Sequence, residues 1–187
     1  MAADGMNIHI RSGTVVIRKE EGFTLIELLV ATALLAVLAT LGAGAARQFW
    51  LVRSLDAGAD AAVSQLRRMQ AQSAAESHPL IFGARFRAGS SEWTLVKFDP
   101  KIPTDSTDDV CTELGSPRTF DAGVIVASVD FSDVTGVTDK CRSQTSDEVA
   151  LFYPRGTATA GSLVLSQPAL GRTQTVTVTA ITGRVTR

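Results

Sequence analysis

Histidine is nearly missing from this chain: its 187 residues include two, with two cysteines, one tyrosine and three methionines. His9 falls within the first 22 residues, which leaves His78 alone for the remainder. A histidine-based triad or a zinc cluster needs several such groups brought together, so the counts exclude both. His78 stands beside Pro79 and reads as an exposed or capping residue at a helix end. Cys111 and Cys141 lack C-x-x-C spacing, which sets aside redox-pair and zinc readings. The 15 glycines form neither a G-x-G-x-x-G nor a Walker-type loop, so nucleotide binding has no motif to rest on. With 18 basic and 19 acidic residues there is no global field to attract nucleic acid or an anionic membrane. These absences point to a chain that is not an enzyme and that carries no cofactor and no metal.

Charge is also missing from a long stretch near the start. Residues 23–46 are apolar or small except for one carboxylate, Glu27. As a helix, 24 residues rise about 36 Å, enough to cross hydrocarbon with some tilt. An ionised side chain inside a membrane helix costs about 2.5–3.5 kcal/mol and usually marks function. The bland alternative is a signal anchor with a stray glutamate at the interface. Arg11, Arg18 and Lys19 precede the run, which favours a cytoplasmic N-terminus. Residues 1–22 read as a leader, with Met6 as an alternative start to Met1.

Gly22-Phe23-Thr24-Leu25-Ile26-Glu27 resembles the processing motif of the type IV pilin superfamily, the pilins and the pseudopilins of type II secretion. The resemblance implies that a prepilin peptidase cuts after Gly22 and N-methylates Phe23. It also implies that the Glu27 carboxylate neutralises the terminal amine of a neighbouring subunit during assembly. Glu20 and Glu21 stand where the family usually has basic residues. The chain would begin as a single-pass inner-membrane protein with its head in the periplasm, then enter a filament. In that oxidising compartment Cys111 and Cys141 are expected to form a disulfide; two unpaired buried thiols are the alternative.

Beyond Ala46, Leu51, Leu55, Ala59, Ala62, Leu66 and Met69 recur at helical intervals. One helix is predicted from Phe23 to about Ser77, with Pro79 ending it. Gly42 and Gly44 lower its propensity locally, either as a zone that stretches on assembly or as a close-packing site. After Pro79 the pattern becomes strands: 80–87 and 92–98 around a turn at 88–91, then 120–126, 149–153, 162–166 and 173–181. Residues 99–117 and 129–147 read as loops, which the disulfide would tie together. The fold class is α+β, a long N-terminal helix on a small antiparallel sheet: 1–22 leader, 23–78 helix with 23–46 in the membrane, 79–187 head.

Phe152-Tyr153-Pro154-Arg155-Gly156, Gly161–Leu165 and Gly183-Arg184-Val185 are similar to the C-terminal pattern of FimT/GspH-type minor subunits. That branch implies a minor pilin that helps to initiate a type IV pilus and sits at or near its tip, among other minor and major pilins. A minor pseudopilin of type II secretion and a DNA-binding minor pilin of a competence pilus are the alternatives. Some FimT-like pilins bind DNA through a Gly-Arg-x-Arg tail, which makes Arg172, Arg184 and Arg187 candidate DNA contacts. Here the second arginine falls one position late, and in a strand that shift changes its face. The other reading of these arginines is that they cover a strand edge or pair with the acidic loops. The acids cluster: residues 99–148 hold 11 against four bases, and none follows Glu148. Within that run, Asp105, Asp108 and Asp109 lack the spacing of an EF-hand calcium loop and read as solvated.

Overall fold

The structure, a computed structural model, describes residues 24–76, 80–100, 110–134 and 136–187. The cleavage and methylation positions Gly22 and Phe23, the His78–Pro79 helix end and the acids Asp105, Asp108 and Asp109 lie outside the described residues. Two compact units divide the chain, Met1–Gly42 and Ala43–Arg187. The helix α1 (Leu25–Ala75) contributes to both. In the first unit its large apolar side chains, from Leu25 to Leu41, are all more than half exposed, and the helix is long and apolar enough to cross a membrane.

In the second unit α1 changes character. Leu55, Ala59, Ala62, Leu66, Met69 and Ser73 are buried, a stripe at alternating steps of four and three that keeps one face toward a core. Among the described residues the unit also holds nine strands: β1 (Ile81–Arg87), β2 (Glu92–Asp99), β3 (Val110–Glu113), β4 (Arg118–Thr119), β5 (Ile125–Phe131), β6 (Asp147–Phe152), β7 (Gly161–Gln167), β8 (Arg172–Val178) and β9 (Val185–Thr186). A four-residue helix, α2 (Thr138–Cys141), lies between β5 and β6. The strands pair antiparallel in two sheets, β3-β2-β1-β6 with β4 also on β2, and β5-β7-β8-β9. The expected α+β class, a long helix with an antiparallel β head, holds, and the head contains two sheets.

Both sheets pack on the α1 stripe. Phe82, Phe86, Trp93, Leu95 and Phe152 of the first sheet and Leu163, Leu165, Val176 and Val178 of the second share one core. Phe86 stacks on Trp93 at 5.6 Å, and Trp93 on Phe120 at 5.9 Å. The Ser73 hydroxyl donates to the Phe152 carbonyl at 2.8 Å, fastening the end of α1 to β6. Gly83 is required where it stands, because a Cβ there would lie 2.1 Å from the Ala150 carbonyl oxygen.

Three sequence expectations change. The strand read over 120–126 is instead a turn at 121–123, with Ala122 and Gly123 at positive φ. Its strand, β5, runs on into the region read as loop. The turn is held from outside, since Gln167 Nε2 donates to the Ala122 carbonyl at 2.7 Å. The supposed loops also contain β3 and α2, so the disulfide joins an edge strand to a helical turn rather than two loops.

Candidate functional site

At the start of α1, the Glu27 amide donates to Thr24 Oγ1 at 3.3 Å, and the Leu28 amide to the Thr24 carbonyl at 3.2 Å. Thr24 is therefore the helix cap, and Glu27 is the third residue of the first turn, the spacing of a capping box. That position places a carboxylate at the positive end of the helix dipole. Glu27 is exposed and belongs to an otherwise uncharged segment, so it is free to pair with a cation from another molecule. Sequence reasoning gave Thr24 no role. The Thr-x-x-Glu spacing was the signal that would have found it.

The Cys111–Cys141 disulfide is formed, with Cα atoms 5.1 Å apart across a separation of 30 residues. A polar cluster surrounds it. Arg85 pairs with Glu113 on β3 and donates to the Cys141 carbonyl at 3.3 Å, so it holds both sides of the bridge. Asp147, 1% exposed, accepts from Arg87 Nε at 2.7 Å and from the Ser143 and Gln144 amides at 3.0 and 2.9 Å. Burial pushes its carboxyl upward, but the Arg87 and backbone hydrogen bonds outweigh it and hold Asp147 below the ordinary carboxylate value. Arg142 gathers Asp133, Asp139 and Glu148, and donates to the Asp147 carbonyl at 2.7 Å. Every charge here has a partner, so the cluster fixes structure rather than presenting a reactive group.

The three candidate arginines are placed differently from one another. Arg187 pairs with Asp56 and with Asp60 (2.9 Å) on α1, and donates to Gln174 at 3.2 Å. Arg184 and Arg172 are exposed. Arg172 opens β8 opposite Gln167, whereas β9 pairs with the other end of β8, Val185 opposite Val178. Along β8 those ends are about 20 Å apart at ~3.4 Å per residue. The C-terminal segment also grips the helix: Arg67 donates to the Val185 carbonyl at 3.0 Å and Gln70 to the Thr182 carbonyl at 3.0 Å. Gly183, at φ 58°, leaves its Cβ position 2.9 Å from both Gln70 Nε2 and the Gly156 carbonyl oxygen. Only glycine meets both demands.

Residues 17–43 match the family described as the prokaryotic N-terminal methylation motif. No curated protein and no solved structure matches the chain. The matched segment covers the capped first turn that carries Glu27 and most of the apolar stretch behind it. Together with a long helix and an antiparallel head, this N-terminal motif supports a type IV pilin-like protein.

Proposed function

We propose that this chain is a non-enzymatic minor pilin of the FimT/GspH type, which helps to initiate a type IV pilus and sits at or near its tip. The observation that carries the reading is Glu27, a lone carboxylate on the capped first turn of an apolar helix, inside a methylation motif. The peptidase removes residues 1–22 and methylates Phe23. Residues 23–46 cross the inner membrane and later form filament core, while 79–187 make the periplasmic head with the amphipathic part of the helix. Glu27 then neutralises the terminal amine of a neighbouring subunit. Two charges that are each costly in lipid become tolerable when paired. Support for the branch comes from its C-terminal pattern, in which Gly183 sits close to both the Gly156 carbonyl and Gln70 of α1.

The test is crosslinking of the full chain in its native membrane, with partners identified by mass spectrometry. Recovery with other minor pilins and a pilin is the expected result. Recovery with a major pseudopilin and secretion components would move the subunit to a type II secretion system. Glu27→Ala should leave a processed protein that does not enter the filament. Normal incorporation of that variant would remove Glu27 from the mechanism.

A further inference from the structure

A groove of about 480 Å³ runs along the outer side of α1 in the head unit. Its floor is small, Ala57, Gly58 and Ala61, and its walls are aromatic, Trp50, Trp93 and Phe120. Trp50 is 68% exposed, while Trp93 and Phe120 are core residues that show an edge to the groove. Two guanidiniums line it. Arg53 lies 5.5 Å from the Phe49 ring centroid and Arg118 5.6 Å from that of Trp93. Among the described residues neither meets a carboxylate, whereas Arg85, Arg87, Arg142 and Arg187 all do. Asp121 also lines the groove, which leaves a net positive charge. Within it, Gln65 Oε1 is buried and accepts no hydrogen bond from the chain, although buried acceptors are normally satisfied.

We propose that this groove docks a helical segment of a different filament subunit, one that presents an aromatic or branched aliphatic side chain with a carboxylate about one turn away. The proposal rests on the filament reading above. The small residues let a second backbone approach α1 closely, as in helix-in-groove recognition. The aromatic walls take an apolar anchor, and two arginines already oriented on ring faces take the carboxylate with little further loss of freedom. Gln65 accepts a donor from the same segment. A second copy of this chain fits less well, because the acids of its α1 within the head, Asp56 and Asp60, are already held by Arg187. Nucleic acid would suit the arginines and Trp50 but not Asp121 or the alanine floor.

Photocrosslinking of the full chain in its native membrane tests the site. A benzophenone amino acid is placed at Ala61, which is exposed, and separately at Leu34 of the apolar segment as a report of filament entry. The expected result is an Ala61 adduct on a helical, acid-containing segment of another subunit. That adduct should fall roughly tenfold with Arg53→Glu plus Arg118→Glu, and likewise with Ala57→Trp, which fills the groove from an exposed position. Leu34 adducts and protease resistance of the head should stay unchanged in both variants. An Ala61 adduct to lipid, nucleic acid or a second copy, no Ala61 adduct, or one insensitive to both variants would overturn the groove proposal while Leu34 adducts persist. Loss of filament adducts at both positions in the unaltered chain would instead overturn the filament reading, and the groove with it.

Discussion

The two sheets of the head are built on different terms. In β5-β7-β8-β9 one face is buried and the other wet: Val176 and Val178 point inward while Thr173, Thr175 and Thr177 are exposed. The β3-β2-β1-β6 sheet is covered on both faces. Its inner side meets α1, and its outer side carries Ile81, Val96, Phe98, Val149 and Leu151 under the disulfide and Val137. A two-sided sheet loses alternation and reads as nearly continuous apolar sequence, as in Val149–Phe152. The comparison shows what each sheet depends on. One-sided packing needs only a helix beneath it, whereas two-sided packing needs a lid, and here the lid is small, polar and crosslinked.

The largest effect should come from the shared core. Phe86→Ala removes a ring stacked on Trp93 and tilted against Phe131 and should cost about 3–5 kcal/mol, read as a shift in the denaturation midpoint of the full chain in detergent. Both sheets should lose stability together. Replacing Cys111 and Cys141 by serine should cost about 3–4 kcal/mol and separate the sheets. Amide exchange should rise first in β3 and β2, while β7 and β8 stay protected; uniform loss of protection would break the distinction.

Asp147→Asn sharpens it further, at about 1–3 kcal/mol, since the variant leaves Arg87 and two backbone amides with a weaker acceptor. The same group predicts a pH effect. Its folded pKa lies below the ordinary 3.8, so its contribution is full above that value and is lost as the pH falls through the lower folded one. Acid titration of the unaltered protein should show this loss, and Asp147→Asn should flatten the profile. The smallest effect belongs to the wet face. Thr175→Ala should change stability by no more than about 0.5 kcal/mol, and a larger loss would mean that the face is covered.

Each sheet was legible in part. Near-strict alternation over residues 173–181 found β8, although the strand ends at Val178 and Ile181 is exposed, and helical spacing found the α1 stripe. Apolar runs likewise found β1, β2 and β6 of the two-sided sheet, but not its edge. β3 has four residues, and what makes it a strand is pairing with β2, Val96 opposite Glu113 and Phe98 opposite Cys111, which no local signal records. The turn at 121–123 was absorbed into a strand because the apolar residues on either side mask it. At the candidate site, Glu27 was legible as a charge out of place. The partners of Arg187 were not, because Asp56 and Asp60 lie 131 and 127 residues away.

Those separations set an order of events. A chain delivered from its N-terminus presents α1 long before residues 182–187, which supply the carbonyls and the guanidinium that hold Arg67, Gln70, Asp56 and Asp60. Through that interval the helix has no final clasp. Contacts spanning more than a hundred residues form late and slow the search for the native state. The head is thus a fold that cannot close early, and its apolar helix face must be guarded by something else until the closing segment arrives.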